Sequence, residues 1–105
     1  MAIRINVDNF NEKVLENNLL VLVDFYTDSC VACKKIAPEL SEIEDSYEGK
    51  INVFKVNTNF DIELARKYKV LSNPTLILFK NGQDIGKQIG YKKYNEISDW
   101  IEENI

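Results

Sequence analysis

The chain has 105 residues, 45% of them hydrophobic, a formal net charge of −4 and no histidine. Such a length and apolar content suffice for one domain, residues 1–105, whose core needs no staples. The acidic balance lacks the basic footprint of a nucleic-acid binder, and without histidine neither a Ser-His nor a Cys-His hydrolase can be assembled.

In chain order, Ile3 to Val7 is a short strand candidate. Asp8 or Asn9 can cap a brief helix carrying Phe10 and Val14, four apart, on one face. Leu19 to Phe25 is apolar at both alternating sets of positions, the pattern of a strand buried between helices in a parallel or mixed sheet, which places it centrally. From Val31 to Tyr47 the period becomes helical, with Ile36, Leu40, Ile43 and Tyr47 on one stripe. Pro38 falls inside this helix, where it removes a backbone hydrogen bond and is expected to kink it, and Gly49 ends it. Ile51 to Val56 reads as a second parallel-type strand, and Asp61 to Tyr68 as a short helix with Ile62, Ala65 and Tyr68 inward. Thr75 to Lys80 and Asp84 to Tyr91, joined through Asn81-Gly82, predict an antiparallel hairpin. Lys93 to Ile105 closes the chain as an amphipathic helix that packs Tyr94, Ile97, Trp100 and Ile101 on the sheet. The order β-α-β-α-β-α-β-β-α predicts an α/β fold in which helices sandwich a mixed sheet.

The two cysteines of the chain, Cys30 and Cys33, stand three apart between the apolar strand and the long helix. A cysteine at the first turn of a helix meets unpaired N–H groups and the positive end of the helix dipole, which favour its thiolate. A second thiol one turn on can resolve the mixed disulfide that the first one makes. Two inert buried cysteines are the plain alternative. A structural zinc site wants four Cys or His ligands, which only two copies of this chain could supply, and a structural bridge over so short a loop would stabilise little. The start Met1-Ala2-Ile3-Arg4 lacks the basic and long apolar segments of a signal peptide, and no apolar run reaches membrane-spanning length. The expectation is a soluble cytoplasmic protein away from membranes, where a Cys-x-x-Cys pair is more often catalytic than structural.

Val23-Asp24-Phe25-Tyr26, the Cys-x-x-Cys followed by Lys34, Ile36-Ala37-Pro38, Asn73-Pro74-Thr75, Phe79-Lys80-Asn81-Gly82 and Gly90 occur in the order of a thioredoxin. From these residues the chain resembles the thioredoxin family over nearly its whole length. The resemblance implies the thioredoxin fold, a central mixed sheet of about five strands flanked by four helices. It implies a protein-disulfide reductase that needs no cofactor beyond the redox-active disulfide Cys30–Cys33. Its partners would be disulfide-containing proteins and a thioredoxin reductase fed by NADPH, a flavin or ferredoxin, and the chain itself would be monomeric. By the same resemblance Cys30 matches the nucleophile, Cys33 the resolving cysteine, Asp24 a buried carboxylate that accepts the proton of Cys33, and Lys55 a lysine that tunes the pair. Pro74 matches a cis-proline facing the dithiol, although an isolated X-Pro bond favours trans. Substrate would meet Ser29, Val31, Ala32, the backbone of Asn73, Pro74 and the space left by Gly90, in a short β-addition.

The active-site segment Ser29-Cys30-Val31-Ala32-Cys33 departs from the family's usual Trp-Cys-Gly-Pro-Cys. Ser29 replaces a large aromatic and Asn73 an apolar or β-branched residue, so partner choice is open. The residues between the cysteines set the redox balance in this family, and about 30 mV changes it tenfold. Two other readings accompany the reductant: a glutaredoxin-like or more oxidising exchange protein, and a redox-inactive binding module built on the Pro74 surface.

Overall fold

A computed structural model describes residues 2–105. Its elements follow the expected order: β1 (Ile3–Arg4), a π-helical turn (Asn11–Leu15), β2 (Leu20–Tyr26), α1 (Val31–Ser46), β3 (Ile51–Asn57), α2 (Ile62–Lys67), β4 (Thr75–Lys80), β5 (Gln83–Ile89) and α3 (Tyr94–Asn104). The strands form one five-stranded sheet in the order β1-β3-β2-β4-β5. β1, β3 and β2 run parallel, while β4 pairs antiparallel to β2 and β5 antiparallel to β4.

β2 is the middle strand and is buried on both faces from Leu20 to Phe25, with Asp24 its one charged residue. Leu20 and Leu22 pack on one side with Ile36, Leu40 and Ile43 of α1 and Ile97 and Ile101 of α3. Val21, Val23 and Phe25 pack on the other with Phe10, Val14, Leu64 and Phe79. Alternation along the strand therefore puts Asp24 on the face of Leu20 and Leu22, beneath α1. α1 in turn is fastened to α3: the Tyr94 N–H donates to Glu39 Oε1 at 2.7 Å, and the Tyr47 hydroxyl donates to Glu102 Oε2 at 2.7 Å. Asn81 (φ 52°) and Gly82 (φ 80°) make the two-residue turn of the β4–β5 hairpin, both in the left-handed region that such turns require.

Several local expectations are corrected. The first strand ends at Arg4, not Val7, because Asn6 Oδ1 accepts from the N–H groups of Asp8 and Asn9 and closes a turn instead. The following turn buries Phe10 and Val14 as expected but has no side-chain cap; the Glu16 N–H bonds the Asn11 carbonyl, five residues back, at 2.9 Å. α1, with Pro38 inside it, stops at Ser46, before Gly49. In α2 the inward positions are Leu64 and Ala65, while Ile62 is 51% exposed. Asp61 accounts for that rotation, since its buried carboxylate accepts from the Val7 N–H at 3.2 Å and turns Ile62 outward. No helix among the described residues is long and apolar enough to cross a membrane.

Candidate active site

β2 delivers the chain to the C-terminal edge of the parallel strands, and residues 27–30 then turn it into α1. Cys30 occupies the N-cap position in extended conformation (φ −83°, ψ 116°), and its Sγ accepts from the Cys33 N–H at 3.1 Å. That bond uses one of the unpaired N–H groups at the helix start, so a thiolate on Cys30 has a donor waiting. Cys33 is one turn further and buried, whereas Cys30 is half-buried. The two sulfur atoms are joined as a disulfide with Cα atoms 5.2 Å apart, an ordinary separation for a bridge.

Ser29 and Val31 flank the pair on the outside, Val31 being 80% exposed, and Ala32 is half-buried. Opposite them lies the segment before β4. The Asn73–Pro74 peptide is cis, as the family likeness implies, and Pro74 is buried. The Asn73 carbonyl oxygen lies 3.4 Å from Cys30 Sγ. The Gly90 N–H donates to the Pro74 carbonyl at 2.8 Å, and a side chain at Gly90 would meet no atom within 4 Å. Leu71, on the same segment, is 96% exposed.

Behind the disulfide, a cleft of about 180 Å³ is lined by Asp24, Tyr26, Thr27, Asp28, Cys33, Lys34, Ala37 and Lys55. The carboxylate and the buried cysteine thus share one solvent-sized space. Asp24 is 6% exposed and its Oδ1 has no partner, so it is not the exposed end of a strand. Burial pushes its pKa from 3.8 up to about 7, and the charge of Lys55 opposes that rise. Such a carboxyl exchanges protons near neutrality, as a proton acceptor needs. The ammonium of Lys55 sits over the Tyr26 ring, 5.1 Å from its centroid. The Tyr26 ring thus gives the lysine a place to rest beside the cleft. No group of three or more His, Cys, Asp or Glu is arranged to hold a metal among the described residues.

The thioredoxin family model matches residues 1–103. The chain belongs to the thioredoxin family. A thioredoxin of Rickettsia bellii is 37% identical over 105 residues, the whole of both chains. Thioredoxin 1 of Nostoc sp. is 36% identical over 104 residues, 99% of this chain and 97% of its own. A thioredoxin of Synechocystis sp. reaches 43% over 82 residues, 78% of this chain and 77% of its own. With this family and the Cys30–Cys33 pair at bonding distance, the chain is a thiol-disulfide oxidoreductase of the protein-disulfide reductase type. Thioredoxins use no cofactor besides their own dithiol, and the family implies a thioredoxin reductase and disulfide-bearing proteins as partners.

Sequence reasoning passed over the polar run Asn57-Thr58-Asn59 at the end of β3. Asn57 Nδ2 donates to Asp28 Oδ2 at 3.4 Å, and Asn73 Nδ2 donates to Thr58 Oγ1 at 3.3 Å. A signal was present: three small polar residues close an apolar strand parallel to β2, and so at the same edge as Cys30.

Proposed function

We propose that this chain is a monomeric, cytoplasmic reductant of protein disulfides in which Cys30 attacks, Cys33 resolves and Asp24 accepts the resolving proton, with Lys55 tuning Asp24. The observation that carries the reading is the cleft lined by both Cys33 and Asp24, whose buried Oδ1 is unpartnered.

The Cys30 thiolate attacks one sulfur of a substrate disulfide. A mixed disulfide forms and the other substrate sulfur leaves as a thiolate, which takes a proton from water. Cys33 passes its proton to Asp24 through the cleft, and the resulting thiolate attacks Cys30 Sγ. The second substrate sulfur leaves as a thiolate and takes the proton held by Asp24, and the Cys30–Cys33 bond is restored. Two electrons and two protons have moved to the substrate, and a thioredoxin reductase returns two electrons to the pair, drawn from NADPH, a flavin or ferredoxin. An extended substrate segment lies along the Asn73 backbone, between Pro74 and Gly90 on one side and Ser29, Val31 and Ala32 on the other.

The test is the equilibrium potential of the Cys30/Cys33 couple, read by thiol alkylation in dithiothreitol and glutathione buffers. A value near about −270 mV, typical of thioredoxins, supports a reductant. A value tens of millivolts higher points to glutathione-linked or oxidising exchange, and the absence of a reversible couple points to a binding module.

A further inference from the structure

We propose that Thr58 is a positioning residue of the dithiol site: its hydroxyl clamps the Asn73–Pro74 segment to the end of β2 and thereby holds the Asn73 carbonyl over Cys30. The proposal rests on the reading above, in which Cys30 attacks and the Asn73 backbone receives substrate.

Thr58 follows directly on β3. Its N–H donates to the Tyr26 carbonyl at 2.9 Å, and its hydroxyl donates to the same oxygen at 3.4 Å. With its one proton committed, Oγ1 has lone pairs left, and one of them accepts from Asn73 Nδ2 at 3.3 Å. The donor order Asn73 to Thr58 to Tyr26 is therefore self-consistent. The neighbouring residue repeats the pattern toward the other loop, since Asn57 Nδ2 reaches Asp28 Oδ2, two residues before Cys30. One corner at the end of β3 thus fastens both segments that face each other across the disulfide.

The amide of Asn73 has little else to hold it. Its Oδ1 is buried without a partner, so removing the Thr58 hydroxyl leaves a part-buried amide unmatched at both ends, a cost that favours displacement of the segment. What is displaced is the carbonyl that lies 3.4 Å from Cys30 Sγ. On reduction, a Cys30 thiol at that distance would donate to the carbonyl and be held in its neutral form, opposing the Cys33 N–H, which favours the thiolate. Thr58 therefore sets the balance between the two through a residue that it touches, without touching sulfur or substrate.

The experiment compares Thr58→Val, Thr58→Ser and Asn73→Ala, and the double variant Thr58→Val/Asn73→Ala. The readouts are the pH midpoint of Cys30 alkylation and steady-state reduction of a protein disulfide. For Thr58→Val the midpoint moves to lower pH and KM rises about three- to tenfold, the range that one neutral hydrogen bond supplies, while kcat changes less than about twofold. Thr58→Ser, which keeps the hydroxyl, restores both values, and the double variant is no worse than the more affected single one. An unmoved midpoint in Thr58→Val, additive effects in the double variant, or a Thr58→Ser that behaves like Thr58→Val overturns the proposal. Should Thr58→Val fail to fold, Asn73→Ala reads the same link from its other end. Failure of the underlying mechanism is separately visible, as disulfide reduction that survives Cys30→Ser.

Discussion

Asp24 stands directly opposite Lys55 in the parallel register of β2 and β3, yet Asp24 Oδ1 is unpartnered and the ammonium leans over the Tyr26 ring. The lysine acts on the carboxylate through space. Burial outweighs its attraction and leaves Asp24 titrating at about 7 instead of 3.8. Because the folded pKa is raised, the folded state binds more protons than the unfolded one between these values, and stability falls as pH rises from about 4 to about 7. A shift of about three pH units sets a ceiling of about 4 kcal/mol on that loss. Asp24→Asn, which cannot ionise, is expected to be more stable than the parent protein, by a margin that grows between about pH 5 and pH 8. Urea unfolding at the two pH values checks this, and a margin independent of pH contradicts it.

Lys55→Met removes the charge that lowers the pKa of Asp24. The Asp24 midpoint is then expected above about 7, read from its carboxyl carbon resonance. In the same variant the pH profile of the resolving step moves in the same direction, because a carboxyl that ionises later accepts the Cys33 proton later. A midpoint that stays in place shows that the ammonium over Tyr26 does not reach the carboxylate.

The roles assigned to the two sulfurs separate under substitution. Cys30→Ser is expected to lower disulfide reduction by about three orders of magnitude or more, since no thiolate remains at the helix start to attack. Cys33→Ser leaves the first step intact and is expected to accumulate a covalent mixed disulfide, visible as a shifted band under non-reducing conditions. Equal loss without an adduct in Cys33→Ser would reverse or remove the assignment.

Gly82 and Gly49 share a φ of +80° but not their surroundings. A Cβ on Gly82 would lie 2.8 Å from the Leu15 carbonyl oxygen, backbone that cannot step aside cheaply, while a Cβ on Gly49 meets nothing within 4 Å. Gly49→Ala is expected to cost about 1 kcal/mol, the left-handed penalty alone. Gly82→Ala is expected to cost clearly more, at least about 2 kcal/mol, because the hairpin turn and the π-helical turn must separate. Thermal unfolding of the two variants, side by side, gives the ranking.

The long elements were legible in the residues because their periods are clear: β2 is apolar but for Asp24 from Leu20 to Phe25, and α1 carries Ile36, Leu40 and Ile43 on one stripe that Tyr47 continues at its cap. The Asn81-Gly82 hairpin was legible for the same reason, since the pair matches the backbone of its turn. What could not be read was decided by contacts far apart in sequence. The face of α2 depends on Asp61 reaching Val7, 54 residues away, whereas the reading with Ile62, Ala65 and Tyr68 inward puts Ile62 inside. The β1 end depends on an Asn6 side chain that competes with the sheet for backbone donors. At the active site, the dithiol was legible from residue type and spacing, and the family likeness supplied Asp24, Pro74 and Lys55. The Thr58–Asn73 link was not, because a hydroxyl and an amide 15 residues apart carry no pattern until the sheet brings both to one edge.

Val31 and Leu71, on the two segments that confront each other around Cys30, are the least covered of the large apolar side chains among the described residues. In the resting molecule both are wetted, and each encounter that dries them releases water in favour of contact, with any protein whose disulfide lies in an accommodating surface. Adhesion at this rim is therefore unselective by nature. The formal charge of −4 adds a repulsion between copies of the chain that acts at a distance where apolar contact has not yet begun. Charge therefore acts on an approaching surface at long range, and the small apolar rim acts only at contact.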